Sequence, residues 1–181
     1  MEKRQGLRIL RQDPWEMLLT FIISQRKSIP AIASCLECIA ERFGTEIITP
    51  RERLMAFPSP EQMKRATLQD LQCCSLGYRS SYVLDAIAHV LSGNLQLDNL
   101  RNLDNTELVD ELLKVKGVGI KVANCVGLFS YGRLGLVPID VWIKRAISDQ
   151  CEDRNPFPLY GDVAGVMQQY VFYYEKSHQH H

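Results

Sequence analysis

Two side chains carry the chemistry this sequence can support: Lys121, just past Gly117-Val118-Gly119, and Asp140, within Val137-Pro138-Ile139-Asp140-Val141. Asp104-Asn-Thr-Glu107 has N-cap character with Glu107 at the reciprocal capping-box position, and Leu108, Leu112 and Leu113 recur behind it at helical spacing. The spacing predicts a helix to about Lys114. Gly117 and Gly119 then permit backbone angles that residues with side chains resist, and a second apolar helix follows through Val122, Ala123, Cys125, Val126 and Phe129. Helix, tight hairpin, helix is the result, over roughly residues 105–130. Such a hairpin leaves main-chain N–H groups of Gly117, Val118 and Gly119 facing outward, where they suit a phosphate. Lys121 falls in the first turn of the second helix, where the positive end of the helix dipole disfavours an ammonium. A neutral lysine amine is a nucleophile able to form a Schiff base with a sugar carbon.

Asp140 supplies the second half. Pro138 sets an extended approach, and the apolar, basic run Trp142-Ile-Lys-Arg-Ala-Ile147 that follows makes the aspartate an N-cap. A capping carboxylate stays ionised. Facing Lys121 across a pocket, it would stabilise an oxocarbenium-like sugar as a glycosidic bond breaks. Each piece alone has an ordinary reading, a turn between helices and a cap before a helix. Their combination is what points to chemistry.

The order of hairpin, Lys121 and Val-Pro-Ile-Asp140 resembles the helix–hairpin–helix base-excision DNA glycosylase superfamily, and most closely its 8-oxoguanine glycosylase/AP lyase branch. Four further segments carry the likeness: Gly6-Leu-Arg-Ile-Leu-Arg-Gln-Asp-Pro14, Phe21-Ile-Ile-Ser24, Leu76-Gly-Tyr-Arg79, and Gly165-Val-Met-Gln168 followed by Phe172. It runs over nearly the whole chain. The resemblance implies two helical lobes flanking a catalytic cleft, duplex DNA as partner, and excision of an oxidised purine. It implies no required cofactor, with a sodium or potassium ion on the main-chain carbonyls of Leu113, Val115 and Val118 as an optional structural element. The family's branch also has a sheet-containing domain before the helical part, and on this reading the chain is the helical unit without it.

The remaining residues of a cleft are assigned by the same resemblance. An enzyme that acts on a base within duplex DNA must extrude it and fill the gap. Tyr78 and Arg79, after Gly77 in an inter-helix turn, would wedge beside the opposite base, and Gln25, Arg26 and Lys27 would enter the vacated space. An arginine that reads the opposite cytosine in mammalian-type members has Ala31 in its place, which predicts a relaxed opposite-base preference. Gln168 and Phe172 share one helical face, where they would bond the Watson–Crick edge of the extruded base and stack on it. Cys125 would pack on the base's other side. For all three the alternative is a place in the core. Trp142 stands where the family commonly has histidine.

Composition sets the frame. The chain has 181 residues, long enough for one helical unit of two small lobes. Its formal net charge is zero, so any nucleic-acid contact must rest on local basic groups such as Arg26-Lys27, Lys114, Lys116 and Lys144-Arg145, or on main-chain N–H groups. No apolar run reaches the length of a membrane span, and Met1-Glu-Lys-Arg-Gln5 adjoins no signal-peptide core. A cytoplasmic monomer is expected, nucleoid-associated in a bacterium or nuclear in a eukaryote. Of six cysteines, only Cys151 follows Asp140, which predicts no iron–sulfur loop there; Cys35-Leu-Glu-Cys38 reads as helix packing.

Periodicity predicts an all-α protein, with helices from Pro14, from about Pro30 to Phe43, and over about 60–65, 68–74, 80–91, 106–114, 120–130, 141–150 and 163–174. Two rivals stay open. A glycosylase for alkylated purines would share the hairpin and Asp140 but usually lacks a lysine at position 121, and a non-catalytic helix–hairpin–helix DNA-binding module would need neither Asp140 nor the Gln168/Phe172 face.

Overall fold

The computed structural model describes residues 6–178; Met1–Gln5 and the end of the His-rich tail lie outside the described residues. Eight helices dominate: α1 (Pro14–Ile23), α2 (Ile29–Phe43), α3 (Leu68–Cys73), α4 (Arg79–Leu91), α5 (Asn105–Leu113), α6 (Ile120–Tyr131), α7 (Val141–Cys151) and α8 (Ala164–His178). Short 3-10 stretches at Asn99–Asn102 and Phe157–Val163 precede α5 and α8.

Helix α1 is apolar nearly all round because it is the centre of the larger lobe. Leu18, Leu19, Ile22 and Ile23 are fully buried, and α1 packs against α2, α4 and α6. Asp13 opens it by accepting the Glu16 N–H, with Pro14 at the first position. A second, smaller apolar cluster forms around Ile143, Phe157 and Ala164, with Val137, Ile139, Met167 and Phe172 against it. It joins α7 to α8. The two clusters give two lobes, and the segment from Gly132 to Ile139 runs between them.

Two local expectations fail. The predicted helix near Pro60 to Arg65 is a series of turns: Ser59 and Gln62 exchange capping bonds, but Met63 and Lys64 bond back with mixed spacing to Ser59 and Glu61, and no helix propagates. An unpredicted antiparallel hairpin pairs β1 (Glu46–Ile48) with β2 (Arg53–Met55), in register Glu46 to Met55, Ile47 to Leu54 and Ile48 to Arg53. All six residues are exposed, so no alternation of apolar and polar positions marked them in the sequence.

Candidate active-site cleft

The hairpin is built by caps. Asp104 accepts the N–H groups of Thr106 and Glu107, both at 2.8 Å, and the Glu107 carboxylate accepts the Asp104 N–H at 3.0 Å, so α5 starts with the full capping box. After α5 the Val118 N–H, expected to face outward, instead donates to the Val115 carbonyl at 3.0 Å and closes the turn, with Val115 and Val118 buried. Gly117 has φ +84°, and a Cβ there would lie 2.3 Å from the Tyr82 ring. Gly119 differs from expectation: it is the extended N-cap of α6 (φ −106°, ψ 176°), and a Cβ would meet nothing within 4 Å. The first glycine is needed by the turn. The second keeps open the approach to the α6 N-terminus, where Gly117, Gly119 and Ile120 N–H groups have no protein acceptor among the described residues.

Lys121 is the second residue of α6, its Nζ 5.4 Å from the Phe21 ring centre. One turn on, Cys125 is buried, and burial pushes its thiol up to about 11 while the Lys121 ammonium draws it down and the Asp140 charge raises it. All three groups therefore lie within electrostatic reach of one another. Asp140 caps α7 as predicted, its Oδ1 accepting from Trp142 N at 3.0 Å and Ile143 N at 2.9 Å. Lys121 and Asp140 face a cavity of about 400 Å³ whose walls also include Gln25, Arg26, Lys27, Trp142 and Lys144.

The loop after α1 is tied down from three sides. The Gln25 amide donates to the Gly117 carbonyl at 2.9 Å, Lys27 Nζ donates to the Ser75 carbonyl at 2.9 Å, and Arg79 donates to the Gln25 carbonyl. Arg79 is thus buried, a strut between two turns, and only Tyr78 of the predicted wedge stands in solvent, the Arg79 guanidinium 4.4 Å over its ring. Arg26 takes a left-handed conformation (φ 54°).

Gln168 and Phe172 occupy α8 as expected but do not line the cavity. Gln168 is buried with its Oε1 accepting from Gln169 Nε2 at 2.7 Å, and Phe172 packs on the smaller apolar cluster. Helix α8 is docked by Gly165, whose N–H donates to the Leu134 carbonyl at 2.7 Å and whose Cβ, were there one, would meet the Leu136 carbonyl at 2.3 Å. Sequence reasoning missed Asn124. From the helix that carries Lys121, its Nδ2 donates to the Val137 carbonyl at 2.8 Å and so braces the segment leading to Asp140. A lone polar residue one turn past Lys121 on an apolar helix was the available signal.

The carbonyls expected to hold a cation are compatible with one. Among the described residues those of Leu113 and Val118 accept no main-chain hydrogen bond outside the helices, and Val115 accepts one, leaving hard oxygen donors at the turn.

No family model matches the chain. It is 33% identical over 153 residues to the N-glycosylase/DNA lyase of Saccharomyces cerevisiae, covering 78% of this chain and 41% of the yeast protein. To a probable N-glycosylase/DNA lyase of Methanothermobacter thermautotrophicus it is 27% identical over 201 residues, covering 95% of this chain and 64% of the relative. It superposes with TM-score 0.90 on the 8-oxoguanine glycosylase/lyase of Clostridium acetobutylicum solved with double-stranded DNA containing cytosine opposite 8-oxoguanine, at 34% identity over 96% of this chain and 63% of that one. The chain spans less than two thirds of each of these three relatives. With the hairpin, Lys121 and Asp140 set around one cleft, and with N-glycosylase/DNA lyases in sequence and an 8-oxoguanine glycosylase/lyase in fold among its relatives, the chain belongs to the 8-oxoguanine glycosylase/lyase branch of the helix–hairpin–helix DNA glycosylases.

Proposed function

We propose that this chain binds damaged duplex DNA and removes 8-oxoguanine as a DNA N-glycosylase with associated AP lyase activity. The observation that carries the reading is that Lys121 and Asp140 line one cavity beside an outward-facing helix N-terminus.

The Lys121 amine adds to the sugar C1′ as the C1′–N9 bond breaks and the base departs with a proton. The Asp140 carboxylate stabilises the positive charge that develops on the sugar. Loss of the ring-oxygen bond gives a Schiff base between Nζ and C1′. Removal of a C2′ proton then expels the 3′ phosphate, and the strand is cut. Tyr78 fills the stack, the hairpin N–H groups hold a phosphate, and Cys125, Gln168 and Phe172 frame the extruded base once the cleft is occupied. The carbonyls of Leu113, Val115 and Val118 would hold sodium or potassium, which would add positive charge beside that phosphate.

Both rivals are less well supported. Lys121 disfavours a lysine-free alkylpurine mechanism, and Asp140 has no purpose in a purely binding hairpin beyond its cap. The test is borohydride trapping on oligonucleotides that differ only in the lesion. Wild type should give a covalent adduct with 8-oxoguanine duplex, and Lys121→Gln should bind the duplex without forming one. An adduct of undiminished yield in that variant would assign the nucleophile to another amine.

A further inference from the structure

Away from the cleft, four cysteines gather where α2 meets the end of α3. Cys38 Sγ lies 3.0 Å from Cys74 Sγ, although the residues are 36 positions apart. That is about 1 Å more than a disulfide bond. Cys35, one turn before Cys38, points its sulfur at the Ser75 carbonyl at 3.8 Å, while Cys73 faces solvent. The group is not a metal site: among the described residues no three metal-ligating side chains converge. What the geometry brings together is one pair of sulfurs.

We propose that Cys38 and Cys74 form a reversible disulfide when the protein meets a peroxide. Cys38 is half-buried and reachable, whereas Cys74 is buried, and burial first, then the hydrogen bond and charge of Cys38, hold its thiol well above the usual range. Cys38 therefore reacts first. Its thiolate attacks one peroxide oxygen, the O–O bond breaks, and hydroxide leaves to become water. The Cys74 sulfur then attacks the Cys38 sulfenic acid; the S–O bond breaks, the Cys74 proton goes out with a second water, and the S–S bond forms. Two thiols and one peroxide give one disulfide and two waters.

The position gives the bond a consequence. Cys74 caps α3 and is followed by Ser75 (φ 60°), Leu76, Gly77 (φ 59°) and Tyr78. The Ser75 carbonyl anchors Lys27, and the Leu76 carbonyl anchors Arg79. A cross-link from Cys38 clamps this turn to α2, and with it the exposed Tyr78 and the struts of the 24–27 loop.

The full chain, treated with equimolar hydrogen peroxide, alkylated and cut with trypsin without reduction, should yield residues 28–42 joined to residues 66–79. Each of these peptides holds two cysteines. The link should therefore persist in Cys35→Ser and in Cys73→Ser, vanish in Cys38→Ser, and reverse with dithiothreitol. Oxidised wild type should melt roughly 5–10 °C above the reduced form, because the bond closes a long loop in the unfolded chain. A link through Cys35 or Cys73, cross-linked dimers, or sulfinic acid at Cys38 with no cross-link would each overturn the proposal. Fragmentation of the joined wild-type peptides, which places the bond at individual cysteines, decides this even if a variant fails to fold.

Discussion

Asp140 uses one carboxylate oxygen for structure: Oδ1 accepts the Trp142 and Ile143 N–H groups in the first turn of α7, while Oδ2 has no hydrogen-bond partner among the described residues. Capping and chemistry can therefore be separated. Asp140→Asn keeps a capping oxygen and loses the charge, so single-turnover excision should fall by about 10²-fold or more with little change in melting temperature. Asp140→Ala should also cost about 0.5–2 kcal/mol of stability through the lost cap. Full activity in the Asn variant would remove the charge from the mechanism. Beside it, the Cys125 thiol, raised to about 11, stays protonated at neutral pH, so under the proposed mechanism it does not compete with the Lys121 amine. Gln168→Ala should lower excision by roughly 1–3 kcal/mol of transition-state binding, the usual loss when a buried polar partner goes unmet; single-turnover rates against an unchanged melting curve check it. Lys121 and Asp140 were legible because each follows from local rules, a glycine turn and a cap. The burial of Gln168 was not, since it depends on how α7 and α8 pack. Nor was that of Arg79, whose partner is a carbonyl 54 positions away.

At the scale of elements, the two hairpin glycines make opposite demands. Gly117→Ala puts a methyl into the Tyr82 ring at a positive φ and should destabilise the protein by about 1–3 kcal/mol. Gly119→Ala enters open space in extended backbone, so folding should suffer only about the 1 kcal/mol of a poorer N-cap. The methyl stands before the free N–H groups, however, and DNA affinity should drop about tenfold. Thermal melts with fluorescence-anisotropy titrations separate the cases; equal affinity in Gly119→Ala and wild type would place the phosphate elsewhere. Helices bounded by turn residues were readable to within a residue or two, as for α4 after Gly77, α5 with its capping box and α6 after Gly119. The β1–β2 hairpin was not, because a strand with both faces in solvent has no periodic pattern, and the turns at 60–65 carry the capping pattern of a helix start without its regular repeating bonds.

For the whole molecule, net charge is zero, and the cleft depends on local basic groups: Arg26, Lys27, Lys121 and Lys144 line its walls. Ala31 stands where the family resemblance places a cytosine-reading arginine, and the other candidates to read an opposite base are occupied. Gln25, Lys27 and Arg79 are each bonded to main-chain carbonyls. Excision rates for 8-oxoguanine opposite cytosine, adenine, guanine and thymine should accordingly lie within about tenfold, the effect of at most one missing charge-assisted contact. A much steeper ranking would show that Arg26 reads the base or that the struts release on binding.

The placement of the chain's two tryptophans also matters for how it can be observed. Trp15 is sealed in the larger lobe with its Nε1 donating to the Pro58 carbonyl at 3.0 Å, whereas Trp142 forms part of the cleft wall, with the Arg145 and Lys176 cations 5.6 and 5.1 Å from its ring centre. Intrinsic emission therefore divides into a steady internal reference and a reporter at the cleft, so occupancy of the site can be read optically, without any label.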